Sequence, residues 1–381
     1  MKVLVLSCAT GGGHNAAGRG ICDALEQRGH TVDFRGDYLS LAGKRTDKIV
    51  CGLYVGSVTV CPRVFKCVYH IGRAVSTFNR RLNIKSPVYY VNGLMGKYLA
   101  ELIEKGGYDA VVMPHLFPAE TITWMKAKNY RLPVTVALGT DYTCIPFWEE
   151  TDCDYYIVPH EDCVEDFAGR GVKREKIIPL GIPAPKAFSS SDSVKADRTL
   201  TGIGPGRNIL VMGGSMGAGR LPQLIRALKR EFVKNGIDDV RITVVCGKNR
   251  KLYRRLRLFH MKDDKVTVVK YINNVAEYMR VCDLLYTKPG GLTSTQSAIM
   301  RIPTIFMEPI SDCEKANCEI FVKYGMAIAP GSIEEMAKEG MMLLESKEMQ
   351  KNMKAAQSSV IEDNCAQRFV EILEGLVNKN V

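Results

Sequence analysis

Short apolar runs alternate with longer amphipathic ones along most of the chain. Lys2–Ser7, Thr31–Arg35, Ala110–Met113, Val134–Ala137, Tyr155–Val158 and Ile177–Leu180 form a first series of apolar runs. A second comprises Asn208–Met212, Arg241–Cys246, Lys265–Tyr271, Asp283–Tyr286, Thr304–Met307 and Ala327–Ala329. Between them lie stretches of helical period, among them His14–Arg28, Ala119–Lys128, Arg220–Lys234 and a last one near Asp363–Val377. Regular strand–helix alternation predicts an α/β protein with parallel sheets and helices on both faces.

The two series are separated by GIPAPKAFSSSDSVKADRTLTGIGPGR, where proline, serine and glycine crowd together without periodicity, as in an interdomain linker. The expected organisation is a first domain over residues 1–181, a linker over 182–206, a second domain over 207–360, and a closing helix within 361–381 that packs back toward the first domain. Both domains open with a strand, a glycine loop and a helix: Ala9-Thr10-Gly11-Gly12-Gly13 in one, Gly213-Gly214-Ser215-Met216-Gly217 in the other. Two such halves predict a ligand cleft between them.

Composition narrows the picture. A chain of 381 residues, 46% apolar and 24% charged, has material for two folded cores. No apolar run approaches the roughly 18–20 residues that span a bilayer. The run Val3–Ala9 is short for a signal peptide and passes straight into a glycine loop, so it reads as a first strand. The 13 cysteines contain no C-x-x-C, which fits reduced thiols in a cytosol.

The net charge of +11 admits nucleic acid, anionic lipid or a phosphorylated ligand as partner. Much of it falls between Gly43 and Pro87, where Arg63, Lys66, Arg73, Arg80 and Arg81 are interleaved with aliphatic and aromatic residues and Asp47 is the sole acid. That mixture suits an element lying on an anionic membrane surface. No nucleic-acid motif accompanies it. Ordinary amphipathic helices with solvated outer faces would read the same way.

Candidate chemistry gathers where strands end. His14 sits where the first glycine loop becomes a helix, and Asp141 follows a strand in Gly139-Thr140-Asp141-Tyr142. Each is a candidate general base, and each has an ordinary structural alternative, as a solvent-facing histidine at a helix start or as a helix cap. Asp152-Cys153-Asp154 resembles a D-x-D metal motif, but three residues are a weak signal and it is taken as loop. The stretch Thr287–Asn317 holds Lys288 and a Pro-Gly-Gly turn running into a helix, the arrangement of an anion site, because the first helical turn leaves N–H groups unpaired.

ATGGGH, TDY, MGGSMG, VVCGKN, the Tyr271–Ile272 region, TKPGGLTSTQ and EPISDCEKAN together resemble the processive diacylglycerol glycosyltransferases and monogalactosyldiacylglycerol synthases, relatives of the muramyl-lipid N-acetylglucosaminyltransferase. The resemblance spans nearly the whole chain. It implies a GT-B fold, two Rossmann-like parallel-sheet domains facing across a cleft, with inverting chemistry, a UDP-sugar donor, no cofactor and no metal. Gly12 and Gly13 would belong to the acceptor loop; His14 or Asp141 would be the base, Asp141 being favoured for its carboxylate basicity and His14 for positioning phosphate or acceptor, with the reverse assignment left open. Gly214, Ser215 and Met216 would lie against the donor phosphates, Lys248 and Asn249 near the nucleotide, and Tyr271 and Ile272 around the uracil. Lys288, Gly290, Gly291, Leu292 and Thr293 would surround the diphosphate, and Glu314 and Asn317 would meet the transferred sugar.

Two positions depart from the family pattern. Gln296 stands where relatives usually place a ribose-binding glutamate, and Cys313 where they tend to carry glutamine. The implied activity is transfer of glucose or galactose to diacylglycerol or a glycosyl-diacylglycerol by a peripheral enzyme on the cytoplasmic face of the membrane, with no nucleic-acid partner. The alternatives are an N-acetylglucosamine transferase acting on an undecaprenyl-linked muramyl peptide and a catalytically weak UDP-sugar sensor.

Overall fold

The structure, a computed structural model, describes residues 1–8, 12–43, 84–189 and 198–379. The chain divides into two compact units, Met1–Lys186 with Asn364–Val381, and Ala187–Asp363.

Unit 1 is built on a six-stranded parallel sheet in the order β2-β1-β3-β4-β5-β6. Its strands are β1 (Lys2–Leu6), β2 (Thr31–Arg35), β3 (Ala110–Met113), β4 (Val134–Leu138), β5 (Tyr155–Val158) and β6 (Ile177–Pro179). β3 and β4 are buried at every position, which is why they carry no polar alternation. Helix α1 (Gly12–Gln27) crosses from β1 to β2. It passes so close to the segment before Pro185 that a Cβ on Gly20 would stand 2.6 Å from the Ala184 carbonyl carbon.

Among the described residues this unit also holds α2 (Pro87–Gly93), α3 (Gly96–Gly106), α4 (Leu116–Ala127) and α5 (Asp162–Gly169). α4 buries the Glu120 carboxyl completely, with no donor to either oxygen. At the chain's end, α13 (Cys365–Lys379) lies on α1. Arg28 reaches Glu371 at 3.0 Å and Glu374 at 3.1 Å, and His30 Nε2 stands 2.8 Å from Glu374 Oε1.

Unit 2 has a five-stranded parallel sheet in the order β11-β10-β7-β8-β9. The strands are β7 (Arg207–Met212), β8 (Val240–Val245), β9 (Val266–Val269), β10 (Leu284–Thr287) and β11 (Thr304–Phe306). The helices are α6 (Leu221–Asn235), α7 (Arg250–Phe259), α8 (Val275–Arg280), α9 (Gly291–Ile299), α10 (Asp312–Lys323), α11 (Ile333–Glu345) and α12 (Lys347–Val360). Tyr286 fills the core and donates to the Met336 carbonyl at 2.9 Å. It fits because α11 presents Gly340, where a Cβ would collide with its hydroxyl.

Two sequence expectations change here. The run expected as a strand over Lys265–Tyr271 pairs only at Val266–Val269, because its partner β8 ends at Val245, opposite Val269. Ala327–Ala329 contributes a single parallel bridge, Ile305 with Ile328, and no strand.

Strand order locates the ligand edge in each unit. In unit 2 the chain fills β7, β8 and β9 in one direction, then returns to the other side of β7 for β10 and β11. In unit 1 it turns back between β1 and β3. Loops at the carboxyl ends of the strands flanking such a reversal diverge and leave a crevice.

Candidate functional site

In unit 2 the reversal brings the loop after β7 beside the turn after β10. Gly214 adopts φ +69, and its bare Cα faces Lys288, whose Cε would stand 3.3 Å from an added Cβ. Lys288 Nζ lies 2.6 Å from Glu314 Oε1, with both side chains largely withdrawn from solvent. The other Glu314 oxygen accepts from Ile310 N at 2.8 Å. Pro289-Gly290 then leads into α9, whose N-cap is Gly290, with no side-chain cap and no acid in the first turn. The N–H groups of Gly291, Leu292 and Thr293 therefore form an electropositive helix end beside the Lys288 ammonium.

The loop after β8 is locked to the loop after β7 backbone against backbone. A Cβ on Gly217 would sit 2.0 Å from the Cys246 carbonyl oxygen, and one on Gly247 2.4 Å from that of Ser215. Both glycines also have positive φ, so neither position accepts another residue without strain. Lys248 N donates to Ser215 O at 2.8 Å. Asn249 caps α7, accepting from Leu252 N at 2.9 Å. Past β9, Tyr271 is 48% exposed with Lys248 Nζ 5.7 Å from its ring centroid, and Ile272 beside it is partly covered. Ser215 and Met216 are also partly exposed.

Several of the other expected donor residues face inward. Asn317 is fully buried and its Nδ2 donates to the Pro289 carbonyl at 2.9 Å, bracing the turn that carries Lys288. Gln296 is buried on the second turn of α9. Cys313 lies 3.0 Å from the Oγ of Ser311, the N-cap of α10. Ser311, which the sequence did not single out, accepts from Glu314 N and so fixes the residue that meets Lys288.

In unit 1, Gly12 and Gly13 form the first turn of α1 and His14 follows them. His14 Nδ1 is 2.8 Å from the Pro114 carbonyl oxygen and 2.9 Å from Thr140 Oγ1. A carbonyl oxygen only accepts, so Nδ1 carries the proton and Nε2 of the neutral ring keeps its lone pair. Burial holds the His14 pKa below the ordinary 6.5, opposed by the Asp141 charge and the Pro114 bond. The His115 ring stands edge-on at 4.6 Å, and burial followed by the His14 charge keeps it neutral. His115 Nδ1 accepts from Phe117 N at 3.1 Å at the start of α4. Pro114, His115 and Thr140 were not identified from sequence as partners of His14, although all three follow strands β3 and β4.

The Asp152 and Asp154 carboxylates are engaged by Lys176 at 2.7 Å and Lys126 at 2.5 Å. Among the described residues no cluster of His, Cys, Asp and Glu has metal-binding geometry. Arg63, Lys66, Arg73, Arg80 and Arg81 lie outside the described residues.

Residues 14–184 match the family model of monogalactosyldiacylglycerol (MGDG) synthase, and residues 208–362 that of the glycosyltransferase family 28 C-terminal domain. These two models, one on each part of the chain, mark it as a UDP-sugar glycosyltransferase. A processive diacylglycerol beta-glucosyltransferase of Bacillus subtilis is 25% identical over 359 residues, 93% of this chain and 90% of the relative. Two solved structures share the fold of this glycosyltransferase. The UDP complex of MnaA from S. aureus has a TM-score of 0.65 at 11% identity, covering 99% of this chain and 97% of that one. MurG of Acinetobacter baumannii has a TM-score of 0.60 at 15% identity, covering 98% and 99%. The two Rossmann-like parallel sheets are those of the GT-B class, as in MurG.

Proposed function

We propose that this glycosyltransferase moves glucose or galactose from a UDP-sugar to the free hydroxyl of diacylglycerol or of a glycosyl-diacylglycerol, with inversion at the sugar C1. The observation that carries the reading is the placement of Lys288 and the uncapped end of α9 beside Gly214 at the sheet reversal of unit 2. A departing UDP gains negative charge on its β-phosphate, and an ammonium with preorganised N–H groups stabilises that charge more than the ground state. Tyr271 offers a ring for the uracil, and Lys248 a further cation.

His14 removes the acceptor proton through Nε2 as the hydroxyl oxygen attacks C1 and the bond from C1 to the β-phosphate oxygen breaks. Asp141 supports the imidazolium that forms. A base in this role contributes about 10² to 10⁴ in rate. The acceptor is supported by the names of the relatives, including the Bacillus subtilis protein, and by the face of α2, where Tyr90, Val91 and the following Leu94 are 59%, 64% and 73% exposed. Apolar side chains left outward suit contact with a lipid surface. Peripheral attachment is consistent with there being no helix among the described residues long and apolar enough to cross a membrane.

The test is a donor panel. Labelled UDP-glucose, UDP-galactose and UDP-N-acetylglucosamine are incubated with the protein and diacylglycerol vesicles, and the lipid phase is analysed. Hexosyl-diacylglycerol is the expected product. Absence of turnover with both UDP-hexoses would overturn the proposal.

A further inference from the structure

Helix α7 is attached to unit 2 by a narrow stripe. Leu256 is its one buried residue, with Leu252 and Tyr253 packed partly against the core. The rest of the helix faces outward. From Lys248 to Lys262 the chain holds seven Lys and Arg and no Asp or Glu. Arg250, Lys251, Arg254, Arg255 and Arg257 are all exposed, and among the described residues none of them forms an ion pair. Of the two acids that follow, Asp263 is engaged by Lys229 and His260, and Asp264 is exposed without an ion pair to the arginines of α7 among the described residues.

The far end of the helix is apolar and uncovered. Leu258 and Phe259 are each 71% exposed and Met261 is 70% exposed. Arg255 lies 5.9 Å from the Phe259 ring and Arg257 6.0 Å from that of Tyr253, so three large exposed apolar side chains stand beside cations without carboxylate partners, a surface whose complement is both anionic and apolar. A nucleic acid would answer the charge but not the aliphatic Leu258 and Met261 of the tip. The headgroup layer of an anionic bilayer answers both, taking Leu258, Phe259 and Met261 among the acyl chains while the arginines meet lipid phosphates.

We propose that α7 is a membrane-contact element of unit 2, specific for anionic lipid and separate from the basic stretch before α2. It rests on the charge and exposure of α7 and the turn that follows it, not on the donor site. Each Lys or Arg at such a surface strengthens partitioning by roughly fivefold.

The experiment uses the full chain, sedimented with vesicles of phosphatidylcholine alone or with about 30 mol% phosphatidylglycerol, a content that gives the surface its negative potential. Two variants are compared with the parent: R254E/R255E/R257E, and L258S/F259S/M261S. All six positions are exposed, and a thermal melt verifies folding. The expected result is preferential binding of the parent to the anionic vesicles and a loss of roughly tenfold or more in each variant. Unchanged partitioning in either variant overturns the proposal. If poly(U) RNA displaces the vesicles and the tip variant binds as the parent does, the surface is a general polyanion site and the proposal likewise fails. Calorimetry with UDP on the same samples separates this result from the reading of the donor site, which α7 substitutions leave intact.

Discussion

Lys288 and Glu314 meet at 2.6 Å where the carboxyl ends of β10 and β11 open, each side chain less than one-fifth exposed. Lys288, which we propose meets the donor phosphates, is thus held by an internal carboxylate in the unliganded protein. K288M leaves Glu314 without its cation, and unfolding should cost about 1–3 kcal/mol less, below the roughly 3–5 kcal/mol of a fully buried pair. K288M/E314Q should recover part of that stability without recovering UDP affinity, which is expected to fall tenfold or more in both. Denaturant melts and UDP calorimetry read the two effects separately. Equal stability of the single and double variants would show that the pair carries no such coupling.

The acid limb of kcat/KM should report His14. Its folded pKa lies below 6.5, so the ring is neutral and active as a base at neutral pH, and activity falls only as pH drops through that lowered value. Asp141 opposes the lowering, so D141N should move the limb to still lower pH while leaving measurable turnover. H14A should lose about 10² to 10⁴ and the limb with it. A pH–rate series on the three proteins decides the roles. If D141N is the silent variant and H14A keeps the limb, Asp141 is the base.

Glu120 makes stability depend on pH in the opposite sense from a salt-bridged carboxylate. Burial, then the charge of Glu150, raises its pKa well above 4.5. Below pH 4.5 the folded and unfolded chains both hold the proton. Above it only the folded chain does, so stability is lost as pH rises, by up to about 1.4 kcal/mol per pH unit until the folded pKa is passed. E120Q, of the same shape, removes that dependence. Its melting temperature should match the parent near pH 4 and exceed it by several degrees near pH 8. A parallel pair of curves would mean that the carboxyl is ionised in the fold.

Gln296 offers a direct test of the donor site. A charged acceptor binds hydroxyls more strongly than a neutral amide, so Q296E should tighten UDP binding by about tenfold while lowering the stability of the unliganded chain, since the site is buried. Calorimetry with UDP and with UMP would show the gain for both, because the ribose is common to them. No gain for either places the ribose elsewhere.

Most of the fold was legible because parallel strands covered on both faces cannot hide. β3 is apolar throughout, β4 is interrupted only by Thr135, and β7, β8 and β10 are mostly apolar. The glycine loops of unit 2 and Lys288 were also visible, since each has a residue type demanded by its place, whereas Gly12 and Gly13, expected in a loop, form the first turn of α1. Strand order was not. Pro114 and Thr140 reach His14 across 100 and 126 residues, and only the pairing of β1 with β3 and of β3 with β4 brings them there. The inward turn of Asn317 was equally hidden. In sequence it is one polar residue in an amphipathic helix, and its bond to Pro289 depends on how α10 approaches the turn.

The carbonyl that orients His14 belongs to the main chain at Pro114. In a histidine held by an aspartate, one point substitution removes the anchor and leaves the ring free to take the wrong tautomer. Here no exchange of side chain at position 114 deletes the acceptor atom. The proton arrangement of this imidazole is inherited from the path of β3 and is insulated from the mutational drift that erodes side-chain partners.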